Sequence, residues 1–252
     1  MATTLSIVVP CYNEESSLPA LMARLDSVVM ALAPEFAIDV LCVDDGSTDG
    51  TAEVVRRLST DRTWLRMVSH DYNRGLGTSI RTAIDNSRGA LIAMLDADGT
   101  FPPEVLPLLL RRLLEGYDIV IGSPYHPEGG VDNVPRLRLF VSRSLSVVYR
   151  FLTRSDVYSF SGIFRVYRRE VFNDVQITGH GFASVSEILI EAMACGHRIA
   201  EVPTILSGRM TGTSKLRFWP EVRNHLRLLK SLLFNQRVRV AQSRARATNT
   251  QE

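Results

Sequence analysis

The sequence predicts an α/β fold: a mainly parallel, Rossmann-like sheet with helices on both faces. Short apolar segments run nearly unbroken, as strands buried on both faces must. These segments alternate with amphipathic helical stretches across short loops. Three of the strand segments stop at carboxylates, and in such sheets ligands gather at the C-terminal strand ends.

Along the chain, residues 5–9 read as a buried strand and 16–32 as a helix. Residues 37–43 form a second strand, and 48–58 a helix capped near Ser47 or Thr48. A short strand over 65–68, a helix over 76–86 and a strand over 90–95 follow. Pro102 and Pro103 suit the first turn of a helix reaching about residue 114. Residues 117–121 give another strand. The Pro- and Gly-rich stretch 123–135 reads as a loop. Beyond it, 137–152 has helical spacing, 162–167 is strand-like, 185–194 is a helix ended by Gly196, and 199–205 is a strand interrupted by Pro203. Residues 219–234 place Val222, Leu226, Leu229 and Leu233 on one helical face beside Arg223, Arg227 and Lys230.

The expected organisation is a single domain in two halves, residues 1–122 and 123–217. A basic amphipathic helix over 218–240 and a disordered tail over 241–252 complete it. The 252 residues are 45% hydrophobic and 22% charged, the balance of a soluble globular protein. Charge is lopsided: residues 1–132 carry 10 Lys+Arg against 19 Asp+Glu, and residues 133–252 carry 19 against 8. An acidic half able to bind a metal therefore precedes a basic half able to hold phosphates or an anionic surface. Nucleic acid is not expected, because no recognised module or aromatic-basic ladder is present. Cys11, Cys42 and Cys195 lack metal-ligand spacing, which fits reduced thiols of a cytoplasmic protein, and no secretory signal opens the chain.

Four segments carry chemistry if the sheet forms. After the first strand, Pro10, Tyr12, Asn13 and Glu14 offer an aromatic face for a nucleobase and a carboxylate for its N–H groups. After the second, Asp44 and Asp45 precede Ser47, Thr48 and Asp49; one acid can bind base or ribose while the hydroxyls cap the next helix. Arg74, between Asn73 and Gly75, is placed to meet a phosphate. Asp96 and Asp98 flank Ala97 at the end of an apolar strand. With period two they face one way, and hard oxygen ligands suit Mg²⁺ or Mn²⁺ carrying a diphosphate. A turn explains either aspartate alone; three acid-tipped strands are not explained by turns and caps.

Together these residues resemble the family-2 glycosyltransferases of GT-A fold, in particular the dolichol-phosphate mannose synthase-like branch. The resemblance continues through Arg138 and Ser142, the run Ser161 to Tyr167, Glu187, Glu201 to Pro203, and Arg209 to Lys215. It implies that 1–122 is the nucleotide-sugar-binding half and 123–217 the acceptor-binding half of the same catalytic domain, with a nucleoside-diphosphate sugar (GDP-mannose or UDP-glucose type) over Pro10, Tyr12, Asn13, Glu14, Asp44, Asp45, Arg74 and Ala97. It implies a divalent metal at Asp96 and Asp98, with Arg138 and Arg209 joining them as catalytic residues. Arg138, Ser142, Arg209, Ser214 and Lys215 would hold a polyprenyl phosphate for single-step inverting transfer. A cytoplasmic protein, peripheral at the inner face of the membrane, follows from that acceptor. The alternative is a same-fold transferase with a soluble small-molecule or glycan acceptor.

Departures accompany the likeness. Pro124 stands where the family carries an arginine, Thr100 where a glutamine often completes the metal site, and Tyr158 to Phe160 where an aspartate is usual. Arg136, Arg143 and Arg150 read as a solvated or membrane-facing surface. Arg165 and Tyr167 are equally readable as structural. His180 is the one histidine worth testing.

Overall fold

The computed structural model describes residues 3–179, 181–209 and 218–234. His180, Ser214, Lys215 and the expected tail over 241–252 lie outside them. The first half runs β1 (Thr3–Cys11), α1 (Leu18–Leu32), β2 (Phe36–Asp44), α2 (Thr51–Ser59), β3 (Leu65–Ser69), α3 (Leu76–Asn86) and β4 (Leu91–Met94). A 3₁₀ turn over Pro103–Val105 leads into α4 (Leu106–Leu114), then β5 (Ile119–Ser123). The second half contains β6 (Gly130–Asp132), α5 (Arg136–Thr153), β7 (Arg165–Arg168), α6 (Val171–Asp174), α7 (Ala183–Cys195), β8 (Ile199–Pro203), β9 (Ile205–Ser207) and α8 (Phe218–Phe234).

Seven strands form one sheet in the order β3-β2-β1-β4-β7-β5-β8. All its pairs are parallel except those of β7, which runs antiparallel between β4 and β5. The continuous apolar strands reflect burial on both faces. Ile7, Val9, Val40 and Cys42 face a core with α1 and α4, while Val8, Leu41, Val43 and Met94 face a second core with α3 and α7. A small parallel pair, β6 with β9, lies apart from the main sheet.

Two expectations change. The stretch 123–135 is not wholly loop, because Gly130 to Asp132 pair with Ile205 to Ser207. The strand expected over 162–167 starts only at Arg165, since Gly162 lies under the Phe101 ring in a non-strand segment. Arg165 and Tyr167 are structural. Arg165 is fully buried, donating from Nη1 to the Val185 carbonyl at 2.7 Å and from Nη2 to the Phe160 carbonyl at 2.6 Å. It thus ties the start of α7 to the segment before β7. α8 packs on the second core through Leu228, Leu229 and Leu232, and His225 Nδ1 accepts the Tyr149 hydroxyl of α5 at 2.9 Å.

Candidate functional site

The parallel register brings Cys11, Asp44 and the end of β4 to one edge of the sheet. Hydrogen bonds then splice the loops after β1 and β2. Asn13, at φ 55°, donates its N–H to Ser47 Oγ (2.9 Å) and accepts the Thr48 N–H at Oδ1 (2.8 Å). The Glu14 N–H donates to Thr51 Oγ1 (2.8 Å). The helix over 51–59 has Gly50 at its N-cap and no side-chain cap, so neither Ser47 nor Thr48 caps it; Asp49 Oδ1 accepts the Thr51 N–H (3.0 Å) in the turn just before it.

The paired acids of β2 divide their work. Asp44 turns inward and accepts the Ser47 N–H at 3.1 Å. Asp45 organises the loop before α3, with Oδ1 accepting the Arg74 N–H (2.9 Å) and Oδ2 the Gly75 N–H (2.8 Å). His70 Nδ1 lies 2.7 Å from the same carboxylate, and its Nε2 lies 2.9 Å from Thr82 Oγ1. Gly46 makes this approach possible. Its φ is +68°, and a Cβ there would sit 2.2 Å from the Tyr72 carbonyl carbon.

A cleft of about 510 Å³ opens over these loops, within the range of small-molecule sites. It brings together Pro10, Tyr12, Glu14, Asp45, Asp96, Ala97, Asp98, Arg138 and Arg209. Asn13 and Asp44 stand behind it as loop supports, and the Arg74 side chain is exposed outside it. Sequence reading missed Asn73, Ser79, Phe182 and Glu221, which also line it. Phe182 comes from the acceptor half and Glu221 from the helix after it, where no strand-end motif marks them.

Asp98 is buried and accepts the Thr100 N–H at Oδ1 (3.1 Å). Its Oδ2 is 3.0 Å from Arg209 Nε, while Arg209 Nη1 reaches Glu14 Oε1 at 3.2 Å. Glu14 Oε2 accepts the Ser17 hydroxyl at 2.6 Å. Glu14, expected to meet a nucleobase, is thus engaged with Arg209 and Ser17. The Asp96 carboxyl is pushed up to about 8, first by burial and then by the Asp98 charge, against the opposing pull of Arg138 and Arg209. Two crowded carboxylates with hard oxygens, one already drawing a cation, fit a divalent ion. No group of three or more His, Cys, Asp or Glu among the described residues is arranged to hold a metal ion, so ligands from outside the protein would complete the shell.

A second cavity of about 360 Å³ adjoins the first, sharing Asp96, Arg138, Ile163, Phe182 and Glu221. Its walls are largely apolar, including Pro124, Leu137, Leu145 and Leu206. At one side Tyr125 donates its hydroxyl to Ser142 Oγ (2.8 Å), which lies 2.7 Å from Ser161 Oγ. Glu201 holds the segment before β7 by accepting the Tyr158 and Ser159 N–H groups (2.8 and 2.9 Å). Arg138 stands at the junction of the two cavities with no hydrogen-bond or ion-pair partner within reach among the described residues. Its positive charge acts on Asp96 and on Tyr125.

Residues 6–176 match the glycosyl transferase family 2, a span that runs from within β1 through β7 and α6 and holds Asp96 and Asp98. The chain belongs to glycosyl transferase family 2. Within that family it is similar to the dolichol-phosphate mannosyltransferase of Pyrococcus furiosus, 32% identical over 231 residues, covering 89% of this chain and 63% of that one. The polyprenol monophosphomannose synthase of Mycolicibacterium smegmatis is 31% identical over 217 residues, covering 83% and 80%. The chain thus spans less than two thirds of the Pyrococcus relative's length. Among solved structures, glucosyl-3-phosphoglycerate synthase from Mycobacterium tuberculosis, in complex with Mn²⁺, UDP and phosphoglyceric acid, superposes with a TM-score of 0.68. That likeness covers 94% of this chain and 78% of that one at 20% identity, and shows the shared GT-A fold. Phe182, Arg209, Pro220 and Glu221 lie beyond the family match, yet they line the same cleft.

Proposed function

We propose that this family-2 protein is a glycosyltransferase that moves a hexose from a nucleoside-diphosphate sugar to a polyprenyl phosphate. The observation that carries this reading is Arg138, a guanidinium with no hydrogen-bond or ion-pair partner among the described residues, at the point where a polar cleft meets an apolar cavity. A phosphate joined to a hydrocarbon chain matches that junction, with charge at Arg138 and apolar walls beyond it. The names of the Pyrococcus and Mycolicibacterium relatives support the same acceptor class.

In this reading Tyr12 offers a face for the base, and Asp45 sets the loop over which the nucleotide lies. A divalent cation at Asp96 and Asp98 supplies Lewis-acid stabilisation to the departing diphosphate. Arg138 and Ser142, four residues apart on α5, hold the acceptor phosphate in line for inverting attack. The acceptor is already an anion, so no general base is required. Arg209, and by the family resemblance Ser214 and Lys215, add positive charge toward the phosphates.

The membrane-facing element in this proposal is α5. Leu137, Phe140, Val147 and Phe151 form an exposed stripe along it, with Phe140 at 69% and Phe151 at 80% exposure. Leu137 also lines the apolar cavity, so the stripe runs into the acceptor site. Arg136, Arg143 and Arg150 flank it, as an interfacial helix on anionic lipid needs. α8, by contrast, turns Leu228, Leu229 and Leu232 inward, which favours α5 as this face. No helix among the described residues is long and apolar enough to cross a membrane.

The test is transfer from a panel of labelled sugar nucleotides with Mn²⁺ or Mg²⁺, offering either polyprenyl phosphate or soluble sugars and sugar phosphates. Label moving into an organic-soluble product supports the proposal. Label moving only to a soluble acceptor overturns it in favour of a same-fold transferase with a soluble substrate.

A further inference from the structure

The segment that enters α7 is held at both ends by carboxylates. At its near end Glu187, from α7 itself, accepts the Thr178 N–H (3.1 Å), the Thr178 hydroxyl (2.5 Å) and the Gly179 N–H (2.7 Å). Arg81 of α3 adds a bond from Nη1 to the Ile177 carbonyl at 2.7 Å. At the far end α7 has neither a side-chain cap of its own nor an acidic residue in its first turn. Glu221 of α8 fills that role. Its Oε2 accepts the Phe182 N–H at 2.9 Å.

Gly181 makes the contact possible. Its φ is +65°, and a Cβ there would lie 2.1 Å from Glu221 Oε1, so only glycine admits the carboxylate this close. Phe182 and Glu221 both line the donor cleft and the apolar cavity. α8 has other attachments, through His225 to Tyr149 and through Leu228, Leu229 and Leu232 to the second core. Removing the Glu221 carboxylate therefore leaves α8 seated.

We propose that Glu221 is a positioning residue: carried by α8, it caps α7 and sets the Phe182 wall between the donor cleft and the acceptor cavity. A carboxylate at a helix N-terminus is favoured by the unpaired N–H groups and the helix dipole. Burial pushes the Glu221 carboxyl above its ordinary value, and the backbone N–H bonds from Phe182 and Ala183 oppose this. α8 thereby becomes part of the acceptor site rather than an appendage following it. The kinetic consequence rests on the polyprenyl phosphate reading above; the structural consequence does not.

The test uses the full chain without ligands and compares wild type, Glu221→Gln and Glu221→Ala by hydrogen–deuterium exchange. In Glu221→Ala, amides around 181–184 are expected to exchange at least about tenfold faster, while β1 and α3 keep wild-type rates. Glu221→Gln retains a carbonyl oxygen for the Phe182 N–H and is expected to recover most of the protection. In the kinetic arm, Glu221→Ala raises the KM for polyprenyl phosphate about tenfold with nucleotide affinity kept, and Glu221→Gln recovers most of that loss. Unchanged exchange at 181–184 in Glu221→Ala overturns the proposal. Equal loosening across 218–234 also overturns it, because Glu221 would then anchor α8 instead of setting the loop. Absence of lipid-stimulated turnover in wild type overturns the acceptor reading, while altered exchange would still support the positioning role.

Discussion

Arg209 Nε lies 3.0 Å from Oδ2 of Asp98, so the carboxylate expected to hold a divalent ion is paired with the chain's own cation. Glu14 shares the same guanidinium at 3.2 Å. An ion binding through that oxygen must displace or share with Arg209, and the released guanidinium is then free to face a diphosphate.

Arg209→Gln is accordingly expected to bind Mn²⁺ more tightly than wild type in the absence of nucleotide. A several-fold change, on the order of 1 kcal/mol, is the scale for removing one competing charge. Transfer is expected to slow. Titration followed by the Mn²⁺ paramagnetic signal checks the first outcome, and weaker Mn²⁺ binding would show that Arg209 supports the ion rather than competing with it.

Asp45 holds two backbone N–H groups and His70, and the loop it fixes borders the donor cleft. Asp45→Asn places an amide where at least one donor needs an acceptor, at a cost of about 1–3 kcal/mol. Nucleoside diphosphate affinity should fall together with the melting temperature. Calorimetric titration and thermal melting check this; unchanged affinity would separate the 74–75 loop from the nucleotide.

His225 gives the fold a pH dependence. Burial pushes its pKa down from 6.5 to about 4, so it stays neutral while accepting the Tyr149 hydroxyl. Between those values the unfolded chain binds a proton that the folded chain does not. Stability is therefore fully present above pH 6.5 and falls as pH drops toward 4, by about 2 kcal/mol down to pH 5. His225→Gln should flatten this slope in denaturant unfolding at pH 7 and pH 5. An identical slope in the variant would place the titration elsewhere.

The α5 stripe predicts membrane binding. Phe140→Ser combined with Phe151→Ser should reduce co-sedimentation with anionic vesicles at least about fivefold, as expected when two large apolar side chains leave an interface. Both residues are mostly exposed, so the melting temperature should shift little. Vesicle binding that survives this change would direct the search to other surfaces.

The parts of the fold that were legible in the sequence are those set by local chemistry. The helix over 76–86 was read with its observed limits, because Gly75 opens it and polar residues close it. The strands of the first half stood out because burial on both faces makes them continuously apolar. β7 was not legible as an antiparallel insert between β4 and β5, since strand direction and order leave no trace in a strand of four residues. The site divides in the same way. Asp96 and Asp98 announce themselves at a strand end, whereas the Glu14 to Arg209 pair joins residues 195 positions apart. Glu221 and Phe182 enter the cleft from helices whose local pattern speaks only of caps and cores.

The central claim is that donor and lipid phosphate meet at Arg138. The direct measurement is nucleoside diphosphate release with Mn²⁺ and a reactive sugar nucleotide, with and without polyprenyl phosphate, in wild type and Arg138→Ala. Wild-type release should rise with the lipid phosphate. Arg138→Ala should lose that increment by about a hundredfold, the scale for losing one charge-assisted phosphate contact, while nucleotide affinity stays within about threefold. Release indifferent to the lipid phosphate, or equal loss of lipid response and nucleotide affinity in Arg138→Ala, would contradict the account.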